Sequence, residues 1–189
     1  YKLRNYTQQN YFERCITIIK SLIIIIKTIH ENNIVHRDIK PANFLINPET
    51  KLIKITDFGI ASELTHKNEE IYNQDIIQGT LAYMSPEQTG RMNRDVDYRT
   101  DIYSLGITFY EMFTGQLPFK GKDAMELVHC HIAKIPVCPN KINPYFSTTP
   151  YAMNRCWNNS VEKEPSLHFF SRDVGHISFI THTASFLYT

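Results

Sequence analysis

The sequence predicts an α+β fold, mainly α-helical, with one short β-hairpin. Three observations carry that reading. An isoleucine-dense stretch, "CITIIKSLIIIIKTI" (15–29), repeats apolar residues at helical steps; "KLIKITD" (51–57) alternates apolar with polar side chains; and two further segments of helical period follow at 100–113 and 122–134. Between the first two lies "IVHRDIKPANFLI" (34–46), which sets His, Arg, Asp, Lys and Asn between two apolar ends and is the first pointer to chemistry.

In the first helix Ile18, Ile19, Leu22, Ile23, Ile26 and Ile29 share one broad face and Lys20 and Lys27 the other, which predicts a deeply buried helix. The lysines, and a run shorter than the roughly 20 apolar residues a bilayer needs, argue against a membrane span. "ENN" (31–33) stops it. "NFLIN" and "KLIKITD", joined by "PET" (48–50), predict a hairpin that carries the polar loop at one end and Asp57-Phe58-Gly59 at the other. Residues 60–85 are polar and without period, too long for a mere connector, and read as a functional loop.

In "TDIYSLGITFYEMF" (100–113), Ile102, Leu105, Phe109, Met112 and Phe113 describe a second buried helix, closed by Gly115 and Pro118. A third, "KDAMELVHCHIAK" (122–134), has Asp123 near its start and stops before Pro136. Beyond about residue 140 the pattern dissolves. The expected organisation is therefore one unit over 1–143 and a divergent tail over 144–189.

With 42% hydrophobic and 21% charged residues and a formal net charge of +1, the chain gives no electrostatic reason to expect nucleic acid as a partner. Cys15, Cys130, Cys138 and Cys156 lack paired spacing, which disfavours a zinc ribbon or a disulfide frame and suits a cytoplasmic protein. His129, Cys130, His131 and Cys138 have no standard ligand spacing and read more readily as core or surface residues than as a metal site. The start, "YKLRNYTQQN", has no apolar signal region, and without an initiating Met the chain is expected to be a piece of something longer.

The polar loop could build a magnesium phosphate site. The Asp57 carboxylate and the Asn43 carbonyl are hard oxygen donors, and magnesium favours one or two such protein ligands beside phosphate oxygens. Asp38 could then accept or orient the proton of an attacking hydroxyl, while Lys40 neutralises phosphoryl oxygens. The bland alternative is that these Asp and Asn residues are turn formers.

His36-Arg37-Asp38, Lys40, Asn43, Asp57-Phe58-Gly59, Gly79-Thr80, Ser85-Pro86-Glu87 and Asp101 in "DIYSLG" follow one another in the order of the eukaryotic-type protein kinase family, and over about 11–143 the sequence resembles that family. The resemblance implies a kinase-like C-terminal lobe. It implies Asp38 as catalytic base, Lys40 as the phosphate-side cation, and Asn43 and Asp57 as magnesium ligands, with ATP and Mg2+ as cofactors and a protein as substrate. Arg37 would bind a charge on the activation segment, His36 and Phe58 would stack in the hydrophobic spine, and Asp101 would hold the catalytic-loop backbone. Lys40 together with Thr80 is similar to serine/threonine rather than tyrosine kinases, and Ser85 replaces the usual alanine.

The segment from Gly59 to Glu87 resembles an activation loop. Thr65, Tyr72 and Thr80 are its hydroxyl candidates, Thr65 being the better-placed phosphosite, although Glu63, Glu69, Glu70 and Asp75 could supply charge without modification. The stretch "YMSPEQTGRMNRDVDYRTDIYSLGITFYEMFTGQLPF" is similar to the kinase modules of large hybrid serine/threonine-histidine kinase sensor proteins, which implies further domains in a larger signalling chain. Arg91, Arg94 and Arg99 read as a solvated face.

The family's small lobe, with its glycine-rich loop, strand lysine and helix glutamate, has no counterpart here, since the first glycine is Gly59. The family also pairs its APE glutamate, here Glu87, with a later arginine, for which Arg155 and Arg172 are candidates by position only. The expectation is a serine/threonine kinase domain fragment, inactive by itself and active in a full-length context. The alternatives are a catalytically inactive interaction module and a truncated gene fragment.

Overall fold

The computed structural model describes residues 8–58, 62–63 and 80–144. The chain divides into two units, Arg14–Lys134 and a second formed by Tyr1–Glu13 with Ile135–Thr189. The described residues are mostly helical, with few and short strands.

Helix α1 spans Gln8–Glu31, starting earlier than the isoleucine run because half-buried Tyr11 and Phe12 continue the same apolar period back towards the N-terminus. It buries Cys15, Ile19, Leu22, Ile23 and Ile26, yet Ile24 is 54% exposed and Thr17 and Thr28 face solvent. The helix is therefore one-sided rather than deeply buried all round. It ends where Asn33 turns left-handed, at φ 58°, with the Asn33 N–H donating to the His30 carbonyl at 2.9 Å. Asparagine tolerates that conformation better than most side chains.

Strand β1, Ile34–Val35, pairs antiparallel with β4, Ser62–Glu63, setting Ile34 opposite Glu63 and Val35 opposite Ser62. That short pairing was not read from the irregular stretch 60–85, where two residues are too few to show alternation. Strands β2, Phe44–Ile46, and β3, Ile53–Ile55, form an antiparallel hairpin in which Leu45 stands opposite Lys54. Its turn closes on Asn47, whose side-chain oxygen accepts from the N–H groups of Glu49 and Thr50 at 2.9 and 3.0 Å.

Helix α2, Arg99–Thr114, buries Leu105, Ile107, Phe109, Tyr110 and Phe113 together with polar Thr100, Asp101, Ser104 and Thr108. Burial thus wraps much of its circumference. Ile102 and Met112, both placed on the core face by period alone, are only half-buried. Gly115 ends it at φ 72°, its N–H donating to the Glu111 carbonyl at 2.8 Å. Helix α3, Ala124–Ala133, begins with Asp123 accepting from the Glu126 N–H at 2.8 Å while Glu126 accepts from the Lys122 N–H at 2.7 Å, a reciprocal N-terminal cap. Val128 of α3 packs with Leu81 and Met84, flanked by Leu127 and Ile132. In the second unit, helix α4 is a single turn, Pro139–Ile142.

Candidate active site

The loop from His36 to Asn43 leaves β1 and returns through a 3-10 turn, Pro41–Asn43, into β2. Proline suits the first position of that turn because its missing N–H would have had no partner there. Two residues of the site are left-handed, Arg37 at φ 68° and Asp57 at φ 65°. For non-glycine residues such backbone is sparsely populated and persists where the surroundings hold it.

Asp101, fully buried near the start of α2, supplies much of that hold. Its Oδ1 accepts from the Arg37 N–H at 2.7 Å and its Oδ2 from the His36 N–H at 2.8 Å. His30 Nε2, from the last turn of α1, reaches the same Oδ2 at 2.8 Å. His30 was missed in the sequence, where its only signal was a polar residue closing an apolar helix. The His36 ring is fully buried, donates from Nε2 to the Thr56 carbonyl at 3.1 Å and accepts at Nδ1 from the Asp38 N–H at 3.3 Å. The Phe58 ring, 44% exposed, lies 4.6 Å from it, centroid to centroid.

Asp38 is 9% exposed. Its Oδ2 is shared by Lys40 Nζ at 2.7 Å and Asn43 Nδ2 at 2.9 Å. Lys40 Nζ donates also to Thr80 Oγ1 at 2.9 Å. The second Asn43 amide hydrogen goes to the Asp38 carbonyl at 2.8 Å. Both donors of Asn43 are thereby used, which leaves its Oδ1 as an acceptor without a hydrogen-bond partner among the described residues. Asp57 is exposed and forms no ion pair among the described residues. The residue before it, Thr56, donates from its backbone N–H (2.9 Å) and from Oγ1 (3.2 Å) to the Asn43 carbonyl, so the strand that delivers Asp57 is tied to the turn that delivers Asn43.

A second polar cluster joins the segment after Thr80 to this loop. Thr100 Oγ1 donates to Glu87 Oε1 at 2.8 Å, Ser85 Oγ donates to Gln88 Oε1 at 3.1 Å, and Gln88 Nε2 donates to the Arg37 carbonyl at 2.8 Å. Neither Gln88 nor Thr100 carried any motif signal. Arg37 Nε is buried without a hydrogen-bond partner among the described residues. Gly59, Thr65, Tyr72, Arg155 and Arg172 lie outside the described residues.

Electrostatics near the same segment are set by burial. The Tyr83 hydroxyl donates to Glu111 Oε2 at 2.5 Å, and desolvation together with that carboxylate raises its pKa well above the usual phenol range. His131, 5% exposed, receives the Tyr103 hydroxyl at Nδ1 at 2.8 Å and packs edge-on against Phe119. Burial pushes this imidazole down to about 4, opposed only in part by the Leu81 backbone.

A small α+β domain whose HRDxKxxN loop and DFG-bearing strand are laced together in this way is matched, over residues 3–171, by the family described as protein kinase domain. The chain belongs to that family. It is 38% identical over 136 residues to a probable serine/threonine-protein kinase of Clostridium perfringens, covering 72% of this chain and 19% of that protein. A probable serine/threonine-protein kinase of Clostridium acetobutylicum is 40% identical over 136 residues, covering 72% of this chain and 20% of the relative. Serine/threonine-protein kinase PknB of Mycobacterium tuberculosis is 36% identical over 128 residues, covering 68% of this chain and 20% of its own length. These comparisons mark the domain as one of the serine/threonine type. The chain spans about a fifth of the length of these relatives.

Proposed function

We propose that the chain carries the catalytic-loop lobe of a serine/threonine protein kinase, a C-terminal lobe over 1–143 followed by a divergent tail. The observation that supports this most is the shared use of Asp38 Oδ2 by Lys40 and Asn43, with Lys40 also bound to Thr80. Held in this way, the carboxylate cannot rotate freely. Its Oδ1, which takes no hydrogen bond among the described residues, becomes the oxygen that accepts the proton of a substrate serine or threonine hydroxyl. Lys40, bridging Asp38 and Thr80, stands where a hydroxyl nucleophile and a transferring phosphoryl group would meet, and its charge lowers the cost of negative charge there.

The residues present suit Mg2+ with ATP: Asn43 Oδ1 and the Asp57 carboxylate are hard oxygens with no competing ion pair among the described residues, and two protein ligands are enough when phosphates and water complete the shell. Mg2+ and ATP together would supply the activated γ-phosphoryl group and screen its charge. Arg37, with its buried Nε unpaired among the described residues, would accept a phosphate or carboxylate from the segment before Thr80, Thr65 being the proposed phosphosite. A protein substrate, a cytoplasmic setting and further signalling domains, as in hybrid serine/threonine-histidine kinases, belong to the same proposal. Among the described residues no helix is long and apolar enough to cross a membrane.

A second reading, a non-catalytic interaction module, is favoured by one observation: within these 189 residues no glycine precedes Gly59, so this stretch of sequence carries no glycine-rich phosphate loop ahead of the catalytic loop. One experiment separates the two. The 189-residue chain is assayed for Mg·ATP-dependent phosphorylation of serine- and threonine-containing peptides, alone and joined behind the small lobe of a serine/threonine kinase relative. We expect negligible transfer by the chain alone, transfer by the fusion, and loss of that transfer in Asp38→Asn. A fusion that binds nucleotide but transfers nothing favours the module.

A further inference from the structure

We propose that Gln88 is a positioning residue for phosphoryl transfer, tying the segment after Thr80 to the peptide that leads into Asp38. The proposal rests on the kinase reading above. Gln88 sits in a 3-10 turn, Glu87–Thr89, and is 3% exposed. A buried primary amide must place all its polar groups, and this one does so across the site. Oε1 accepts from Ser85 N–H and Ser85 Oγ, both at 3.1 Å, while Nε2 donates to the Arg37 carbonyl at 2.8 Å. The orientation has no alternative. The Ser85 N–H can only donate and the Arg37 carbonyl can only accept, so a flipped amide would lose both bonds.

The Arg37–Asp38 peptide is where a small rotation matters most. Arg37 is in the left-handed region, φ 68°, a conformation that is costly for a non-glycine residue and must be held from outside. Its N–H is held by Asp101 Oδ1 at 2.7 Å. Of the two polar groups in the next peptide, the Asp38 N–H makes only a long bond to His36 Nδ1 at 3.3 Å, whereas the Arg37 carbonyl has the short bond from Gln88. Gln88 is thus the tighter constraint on the peptide plane from which the Asp38 side chain departs. The same segment grips the loop a second time, through Thr80 and Lys40 at 2.9 Å. The two ties lie on either side of Asp38, and together they let the placement of residues 80–89 set the carboxylate's aim.

The test uses Gln88→Met, which removes all three hydrogen bonds while keeping the bulk, and Gln88→Asn, whose amide is one methylene too short to span from Ser85 to the Arg37 carbonyl. Ser85→Ala, which leaves the Ser85 N–H bond to Gln88 in place, is the control. In the 189-residue chain, amide hydrogen exchange is read at Arg37 and Asp38 against the interior of α2. In the fusion described above, kcat and KM are measured. We expect exchange at Asp38 to quicken about tenfold in both Gln88 variants with α2 unchanged, and kcat to fall about tenfold with KM for peptide and nucleotide nearly constant, Ser85→Ala staying close to wild type. Unchanged exchange at Asp38, or a loss confined to KM, overturns the proposal. So does failure of both Gln88 variants to fold, which would make the residue structural. The exchange measurement needs no catalysis, so a failed tie is distinguishable from a failed kinase reading, which Asp38→Asn addresses.

Discussion

Asn43 donates both hydrogens of its side-chain amide to Asp38, one to the backbone carbonyl at 2.8 Å and one to the carboxylate at 2.9 Å. One residue thus fixes the main chain and the side chain of the other. Replacing Asn43 by Ala leaves a buried carbonyl unpaired and frees the carboxylate to turn. The expected result is a loss of about 1–3 kcal/mol in stability by urea unfolding, with transfer by the fusion reduced at least about a hundredfold. Retention of near-normal kcat in Asn43→Ala would sink the proposed role of this pair.

Asp101 is the buried acceptor for two consecutive backbone N–H groups and for His30. Asp101→Ala strands the buried His36 N–H and the part-buried Arg37 N–H and His30 Nε2, and with about 1–3 kcal/mol for a buried unsatisfied group and less for the part-buried ones, a loss of about 2 kcal/mol or more is expected. Asp101→Asn keeps one acceptor and should cost less. Chemical denaturation of the two variants side by side checks the ranking, and equal stabilities would contradict it.

His131 gives the fold an acid sensitivity of known sign. The folded chain keeps this imidazole neutral down to about pH 4, while the unfolded chain takes the proton near the ordinary value of 6.5. Between those values the unfolded state binds more protons, so stability declines as pH is lowered from about 6.5 and the contribution is gone below about 4. The span corresponds to a contribution on the order of a few kcal/mol. His131→Gln should flatten this slope in urea midpoints measured across the window. A slope as steep as in wild type would show that other groups govern it.

Gly115 offers a cleaner backbone test. Its φ is 72°, and among the described residues no heavy atom beyond its own neighbours along the chain lies within 4 Å of where a Cβ would stand. Any penalty in Gly115→Ala therefore comes from the left-handed backbone alone, about 1 kcal/mol, with Gly115→Asn costing less. Thermal unfolding of both variants reads it directly.

Much of the local structure was legible before any coordinates. The hairpin turn could be seen in Pro48-Glu49-Thr50, the end of α2 in Gly115, and the start of α3 in Asp123, because each depends on residues adjacent in the chain. The extent of α1 and its exposed flank were less so, since isoleucine density hides which face meets solvent. For the candidate site, residues 36–43 stood out by composition and order. Their partners did not. His30, Thr100 and Gln88 act across tens of residues through single hydrogen bonds, and a single glutamine or threonine in a polar stretch leaves no period or spacing to detect.

By itself the sequence determined the helical segments, the turn residues and the ordered motifs that place the chain among protein kinase domains, because periodicity, capping and motif spacing are properties of neighbours along a chain. Only the tertiary structure decided that polar Thr100, Asp101, Ser104 and Thr108 would be buried, that Arg37 would be held left-handed, and which oxygen of Asp38 would be occupied. Those outcomes depend on hydrogen bonds between distant segments in a dry interior, where an unpaired group is costly and a partner can come from anywhere in the chain.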